Sequence, residues 1–130
     1  MNRISKIIFD SALEVHRYFG PGLLVSIYEA SLKIELELRE TEVKRKVRIP
    51  LEYKDNPLPD PLKLDMLVED KIIIKLKAVE SILPIHEAQI ISQLKLTKCR
   101  LVFLIIFNSS LLNVGFLFFV LIYLLLLFYL

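Results

Sequence analysis

Leu62-Lys63-Leu64-Asp65-Met66-Leu67-Val68-Glu69-Asp70-Lys71-Ile72-Ile73-Ile74-Lys75-Leu76-Lys77 is a pair of apolar runs joined by three charged residues. Runs of this length, rich in branched apolar residues and separated by a polar cluster, read as the two strands of a hairpin. The second strand is expected to reach Val79, and Glu69-Asp70-Lys71 to form the turn. If the turn centres on Asp70, the numbers of residues facing each other sum to 140. Asp65 then stands opposite Lys75, with Lys77 two residues along on the same face. A turn centred half a step away would put Asp65 and Lys75 on opposite faces.

The rest of the chain supplies a setting for that hairpin. Ile4, Ile7, Ile8, Leu13, Val15 and Phe19 recur at roughly helical spacing, and Gly20-Pro21-Gly22 stops that helix. A second helix is predicted from about Leu23 to Leu38. The period then changes: Val43, Val47, Ile49 and Leu51 alternate with Lys44, Lys46, Arg48 and Pro50, a strand pattern. Pro57, Pro59 and Pro61 predict an irregular loop over residues 55–61. Pro84 opens a third helix, about Ile85 to Leu96, and Leu101 to Phe107 is apolar throughout, as in a buried central strand. The helix between the third and fourth strands makes a crossover, so those strands should run parallel. The expected fold is α/β: a small mixed sheet of about four strands with flanking helices.

Charge divides the chain in two. All 32 charged residues lie at or before Arg100; the last 30 residues carry none, and 25 of these are hydrophobic. Residues 1–110 read as one domain and 111–130 as an apolar tail. A helix of about 20 apolar residues can span a bilayer, and Lys95, Lys98 and Arg100 before the tail would favour a cytoplasmic domain. Two other readings of the tail are a degraded gene end and a helix buried in an oligomer. The net charge of +2 selects no partner, and the single Cys99 excludes an internal disulfide or a cysteine-rich metal cage. Asp10 and Glu14 interrupt the apolar pattern of the N-terminus, unlike a signal peptide.

The hairpin brings together most of a site for phosphodiester chemistry. Such hydrolysis needs a hard cation such as Mg²⁺, which polarises the phosphate and lowers the pKa of a bound water. Acids on adjacent strands, with a lysine beside them, suit that ion. Asp65 fills the role of first acid and metal ligand, and Lys77 that of the lysine. Lys75, where a second acid would serve, cannot ligate Mg²⁺ while protonated. Two unit charges at ~4 Å in an effective dielectric near 20 interact by about 4 kcal/mol. That is repulsion for a metal and attraction for Asp65, so a cross-strand Asp65–Lys75 ion pair is expected.

Several stretches together resemble one family. They are Gly20-Pro21-Gly22-Leu23-Leu24 with Ser26-Ile27-Tyr28-Glu29, Asp65-Met66-Leu67-Val68-Glu69, Leu76-Lys77-Ala78-Val79-Glu80, Pro84-Ile85-His86-Glu87-Ala88-Gln89 and Leu94-Lys95-Leu96-Thr97. Over about residues 3–115 the chain resembles the GxxExxY proteins of the PD-(D/E)XK nuclease-like superfamily. The resemblance implies a restriction-endonuclease-like core of helix, three strands, helix and strand, closed by a C-terminal helix. It implies Mg²⁺ as cofactor and nucleic acid as partner. It also implies Asp65 as the metal-site aspartate, Lys77 as the motif lysine, Glu29 as the helix-borne glutamate and Gln89 as the helix glutamine. Three positions depart from the pattern: Val25 replaces the family's glutamate, Lys75 the acid of the acid-x-lysine motif, and Gln93 an aromatic residue.

Other candidates have plainer readings. Lys44, Lys46 and Arg48 form one basic face of the first strand, with Arg45 opposite, and could contact nucleic-acid phosphates or simply be solvated. Glu29 is either an exposed helix acid or a site-facing one. His86 reads as a residue of a helix's first turn, and His16 as structural, on the exposed side of the first helix. There is no Cys/His spacing for zinc and no glycine-rich phosphate loop. The sequence thus points to a degenerate nuclease-like protein, catalytically impaired, with nucleic-acid binding retained. The alternative is a membrane-anchored or partner-binding module, and the third reading is an active metal-dependent nuclease.

Overall fold

Gly20 and Gly22 lie at φ 70° and 100°, a region open to glycine without strain, and they fold the chain back between two helices, α1 (Arg3–Phe19) and α2 (Val25–Leu38). Tyr28 fastens this corner. Its hydroxyl donates to the Gly20 carbonyl (2.6 Å) and accepts from the Leu23 N–H (3.1 Å). Its ring stacks on Phe107, with centroids 4.3 Å apart. Ile8, Ala12 and Val15 of α1 and Tyr28, Leu32 and Leu36 of α2 recur every three or four residues, and all are buried.

The computed structural model describes residues 3–77, 84–97, 99 and 101–107, and the backbone of 117–122. After the helices come β1 (Val43–Ile49), the short β2 (Glu52–Tyr53) and β3 (Asn56–Pro57), then β4 (Leu62–Val68) and β5 (Ile72–Lys77). They are followed by α3 (Pro84–Leu96), β6 (Leu101–Ile106) and β7 (Leu117–Ile122). The main sheet has the order β1-β4-β5-β6-β7. β1, β4 and β5 meander antiparallel, and β5 pairs with β6 in parallel across the α3 crossover, as the sequence predicts. β2 and β3 form a separate small hairpin inside the region expected to be irregular. Lys54 and Asp55 at its tip both have positive φ, the backbone that a two-residue hairpin loop demands.

The sheet has helices on both faces. On one, α1 and α2 pack against Val43, Met66, Val68, Ile72, Ile74, Leu76, Phe103 and Ile105. On the other, Ile90 and Leu94 of α3 pack against Leu64, Leu67, Ile73, Val102, Leu104 and Ile106. β6 is buried on both faces, which explains its unbroken apolar sequence.

Two features depart from the sequence reading. The first is the tail. Leu117–Ile122 is a fifth strand, antiparallel to β6, where an apolar helix was expected. It takes six residues from the middle of 111–130 into the sheet, so that run is not one continuous helix. Among the described residues no helix is long and apolar enough to cross a membrane. Residues 111–116 and 123–130, the rest of the tail, lie outside the described residues.

The second is a change of face within β1 and β4. Val43 belongs to the α1/α2 cluster, but Val47 and Ile49 pack in the α3 cluster. On β4 the same change separates Met66 and Val68 from Leu64 and Leu62. Strict alternation would keep Val43 and Val47 on one face. The change occurs at Lys46, whose φ is 54°, and Asp65. Val43↔Val68, Lys44↔Leu67 and Arg45↔Met66 pair before it and Val47↔Leu64, Arg48↔Lys63 and Ile49↔Leu62 after it, in one register with the 46–65 pair missing. Lys44, Lys46 and Arg48 therefore do not form one basic face. Lys44 pairs with Asp70 (3.1 Å), while Lys46 reaches a carboxylate on α2.

A left-handed backbone at a non-glycine residue costs about 1–2 kcal/mol. Lys46→Gly and Lys46→Ala both remove the ammonium, yet only the first relieves the backbone. The glycine variant should be the more stable by about 1 kcal/mol in urea unfolding, the reverse of the usual order in a strand. An alanine variant equal or superior to it would show that Lys46 carries no backbone strain.

Candidate functional site

The register of the central hairpin is the one that a turn centred on Asp70 demands. Val68↔Ile72, Leu67↔Ile73 and Met66↔Ile74 are paired, and the next step sets Asp65 opposite Lys75. The turn uses Glu69 and Asp70 at φ 53° and 52°, and Lys71 N–H donates to the Val68 carbonyl (3.0 Å). Contacts with Glu42 and with Lys44 of β1 hold it in place, among them the Glu42 N–H donating to Glu69 Oε1 (3.3 Å). The Glu69 N–H donates to the Glu42 carbonyl (2.9 Å), and Lys44 bonds Asp70. The Asp70 carboxylate raises the Lys44 pKa by hydrogen bond and by charge.

Regular pairing of β4 with β5 ends at Met66↔Ile74. At the next position Asp65 turns its carboxylate to the backbone: Oδ2 accepts the Leu76 N–H at 3.1 Å. This corrects the expected ion pair. Among the described residues no ion pair within 4.0 Å joins Asp65 to Lys75. The physical reason is burial. Leu76 is 3% exposed, and a buried N–H without an acceptor costs about 1–3 kcal/mol, more than a half-exposed ion pair returns. Asp65 thus sits where β4 has lost its pairing on both sides, to Lys46 and to Lys75.

Lys75 is half-buried beside it. Burial lowers its pKa; the Asp65 carboxylate acts in the raising direction and Lys77 lowers it again. The three groups therefore feel one another, although Asp65 and Lys75 do not touch. Lys75 and Lys77 alternate with Ile74 and Leu76, which pack under α1 and α2, so both lysines lie on the face that α3 covers.

Glu29 and Val25 lie on the other side of the sheet. Glu29 is 1% exposed, so it is not an exposed helix acid. Arg45 Nε donates to its Oε1 (2.9 Å) and Lys46 Nζ to its Oε2 (3.4 Å), so both oxygens are engaged. A buried carboxylate requires such partners, because an unpaired charge away from water is costly. Arg45 and Lys46 thus clamp α2 to β1, a role that the sequence reading missed. The available signal was a glutamate on the apolar stripe of a helix just before a strand rich in lysine and arginine. Val25, where the resemblance would place an acid, packs on the α1/α2 cluster.

The histidines and the α3 glutamines also find places. His16 is buried and stacks on Phe107 (6.0 Å), a correction to its expected exposed position, and burial lowers its pKa. His86 lies in the first turn of α3 and is buried. Gln89 is exposed. Gln93, one turn later, faces inward with Ile90 and Leu94, and its Oε1 accepts no hydrogen bond among the described residues. The inward-facing glutamine of α3 is therefore Gln93, which the sequence reading noted only for a missing aromatic ring.

The site does not fit a divalent cation. Among the described residues Asp65 is the one carboxylate at the parting of the strands, Lys75 sets a positive charge next to it, and the Glu29 oxygens are held by other cations. Among the described residues no three His, Cys, Asp or Glu side chains gather where they could hold a metal ion. Residues 2–116 match the family model described as the PD-(D/E)XK nuclease superfamily. Neither a curated protein nor a solved structure gives a significant match.

Two expectations follow from the geometry. Asp65→Ala strands the Leu76 N–H and should lower stability by about 1–3 kcal/mol, whereas Asp65→Asn keeps an acceptor and should cost less than about 1 kcal/mol. Equal losses in urea titrations would show that the bond to Leu76 contributes nothing. The second concerns Lys75. Its pKa is lower folded than unfolded, so the unfolded chain holds more protons between those two values. The penalty is present in full below the folded pKa, and stability rises with pH through that window. Lys75→Met should therefore raise the melting temperature at pH 7 and flatten the alkaline rise; a variant that melts lower than the parent would contradict this.

Proposed function

This chain belongs to the PD-(D/E)XK nuclease superfamily, and on that premise we propose that it is a catalytically impaired member that still binds nucleic acid. The observation carrying this reading is Lys75 at the next position opposite Asp65, in the register set by Met66↔Ile74. A metal-dependent nuclease needs carboxylates there to hold Mg²⁺ and lower the pKa of its water. An ammonium at that position repels the ion, and among the described residues no neighbouring acid replaces the missing ligand. Glu29 is bound to Arg45 and Lys46, and Val25 has no oxygen to offer. Asp65 accepts the Leu76 N–H and Lys77 ends β5.

Loss of the metal leaves the cationic half of the site. Lys77 and Lys75 remain at the parting of the strands. Phosphate contacts by such groups supply most of the affinity of non-specific nucleic-acid binding. The basic groups of β1 act separately under this reading: Lys44 is paired with Asp70, Arg45 and Lys46 with Glu29, and Arg48 is left to meet a phosphate.

The test is a cleavage assay of the full chain on single- and double-stranded DNA and RNA with Mg²⁺ or Mn²⁺, beside Lys75→Glu. The parent should leave every substrate intact, and the variant should show metal-dependent cleavage. Cleavage by the parent would end the reading of an impaired site.

A further inference from the structure

A half-buried ammonium normally holds a carboxylate, because removing charge from water is costly unless it is paired. Lys75 does not. Among the described residues neither Lys75 nor Lys77 makes an ion pair within 4.0 Å. The nearest candidate partner, Asp65, has turned to the Leu76 N–H. Two ammonium groups two residues apart on one strand therefore share a face, about 7 Å apart along the backbone. Long flexible side chains from that spacing can converge on one anion. With Asp65 the three groups carry a net charge of +1, the opposite sign from a site built to attract a metal ion.

We propose that the parting between β4 and β5 is an oxyanion site that works without a metal, in which Lys75 and Lys77 together hold a phosphate group. This rests on the reading that the site has lost its cation and names what takes its place. The Lys75 ammonium itself supplies the positive charge that a metal would otherwise bring to the phosphate. Partial burial strengthens that attraction, since the effective dielectric is lower than in bulk water. Charge-assisted hydrogen bonds from each lysine fix the phosphate oxygens. Asp65 works against this occupant: its remaining charge repels an anion, whereas it would attract a metal. The sign of its effect therefore separates the two kinds of site.

The experiment is fluorescence anisotropy of a labelled single-stranded DNA oligonucleotide with the full chain, in EDTA and then in Mg²⁺. Binding should persist in EDTA and gain nothing from Mg²⁺. Lys75→Gln should weaken it about tenfold and reduce the slope of log affinity against log salt by about 0.7, the share of one phosphate contact on a single strand. Lys75→Arg should bind as the parent does, and Asp65→Asn should tighten binding about threefold as a repulsive charge is removed. Lys33→Gln, which removes a lysine paired with Glu37 on the outside of α2, controls for net charge and should leave affinity unchanged. Circular dichroism of each variant checks that it is folded.

Displacement by millimolar inorganic phosphate would assign the site to a free phosphate ion, and displacement by unlabelled oligonucleotide alone to the polynucleotide backbone; both support an oxyanion site. Binding that requires Mg²⁺, weakens in Asp65→Asn, or is unchanged in a folded Lys75→Gln would overturn it. The reading of an impaired enzyme fails separately: it fails if the parent cuts the oligonucleotide in Mg²⁺, an outcome that leaves the EDTA measurements untouched.

Discussion

The bond from the Leu76 N–H to the Asp65 carboxylate joins the fold to the site. Strands that part must leave backbone groups unpaired, and a buried unpaired N–H is expensive. A short acidic side chain at the point of parting resolves this by substituting for the ladder. It allows β4 to leave β5 after Met66↔Ile74 while Leu76 stays buried. The same position is where β1 and β4 exchange faces, so Val47, Ile49, Leu64 and Leu62 can pack toward α3. One side chain thus permits a twist that a regular ladder would resist. It also places a carboxylate where two lysines approach it.

The two acids differ in what their surroundings make of them. Glu29 is buried and doubly paired, so its charge is held by Arg45 and Lys46 and serves to dock α2 on β1. Removing either partner leaves a buried charge incompletely compensated, a large penalty. Asp65 is only partly buried and makes a single backbone bond, so it retains some electrostatic reach. That reach does not cancel the cost of burying Lys75, whose pKa remains lowered. An apolar residue would pack there with less penalty.

Much of this was legible in the sequence, for identifiable reasons. The hairpin register followed from a compact charged turn between two apolar runs, since a three-residue connection fixes which residues face. The parallel pairing of β5 with β6 followed from the length of the crossover. The face change did not, because Val43, Val47 and Ile49 fit an unbroken alternation; only the left-handed backbone at Lys46, a residue with no preference for it, reveals the switch. The Asp65–Lys75 ion pair was expected because charge attraction is visible in a sequence, whereas the competing need of the Leu76 N–H appears only when the strands part. Glu29 was ambiguous because its two partners lie 16 and 17 residues away on another element.

The apolar tail yields to the same reasoning. Composition alone offered a spanning helix, since 20 apolar residues have the length for it. A sheet edge offers a competing use. Without β7, β6 would present its outer row of N–H and C=O groups unpaired, in a strand whose side chains are buried on both faces. Leu117–Ile122 covers that edge from Leu101↔Ile122 to Ile106↔Leu117. Backbone satisfaction therefore decides between two structures that hydrophobicity cannot tell apart, just as it decides between an ion pair and a ladder substitute at Asp65.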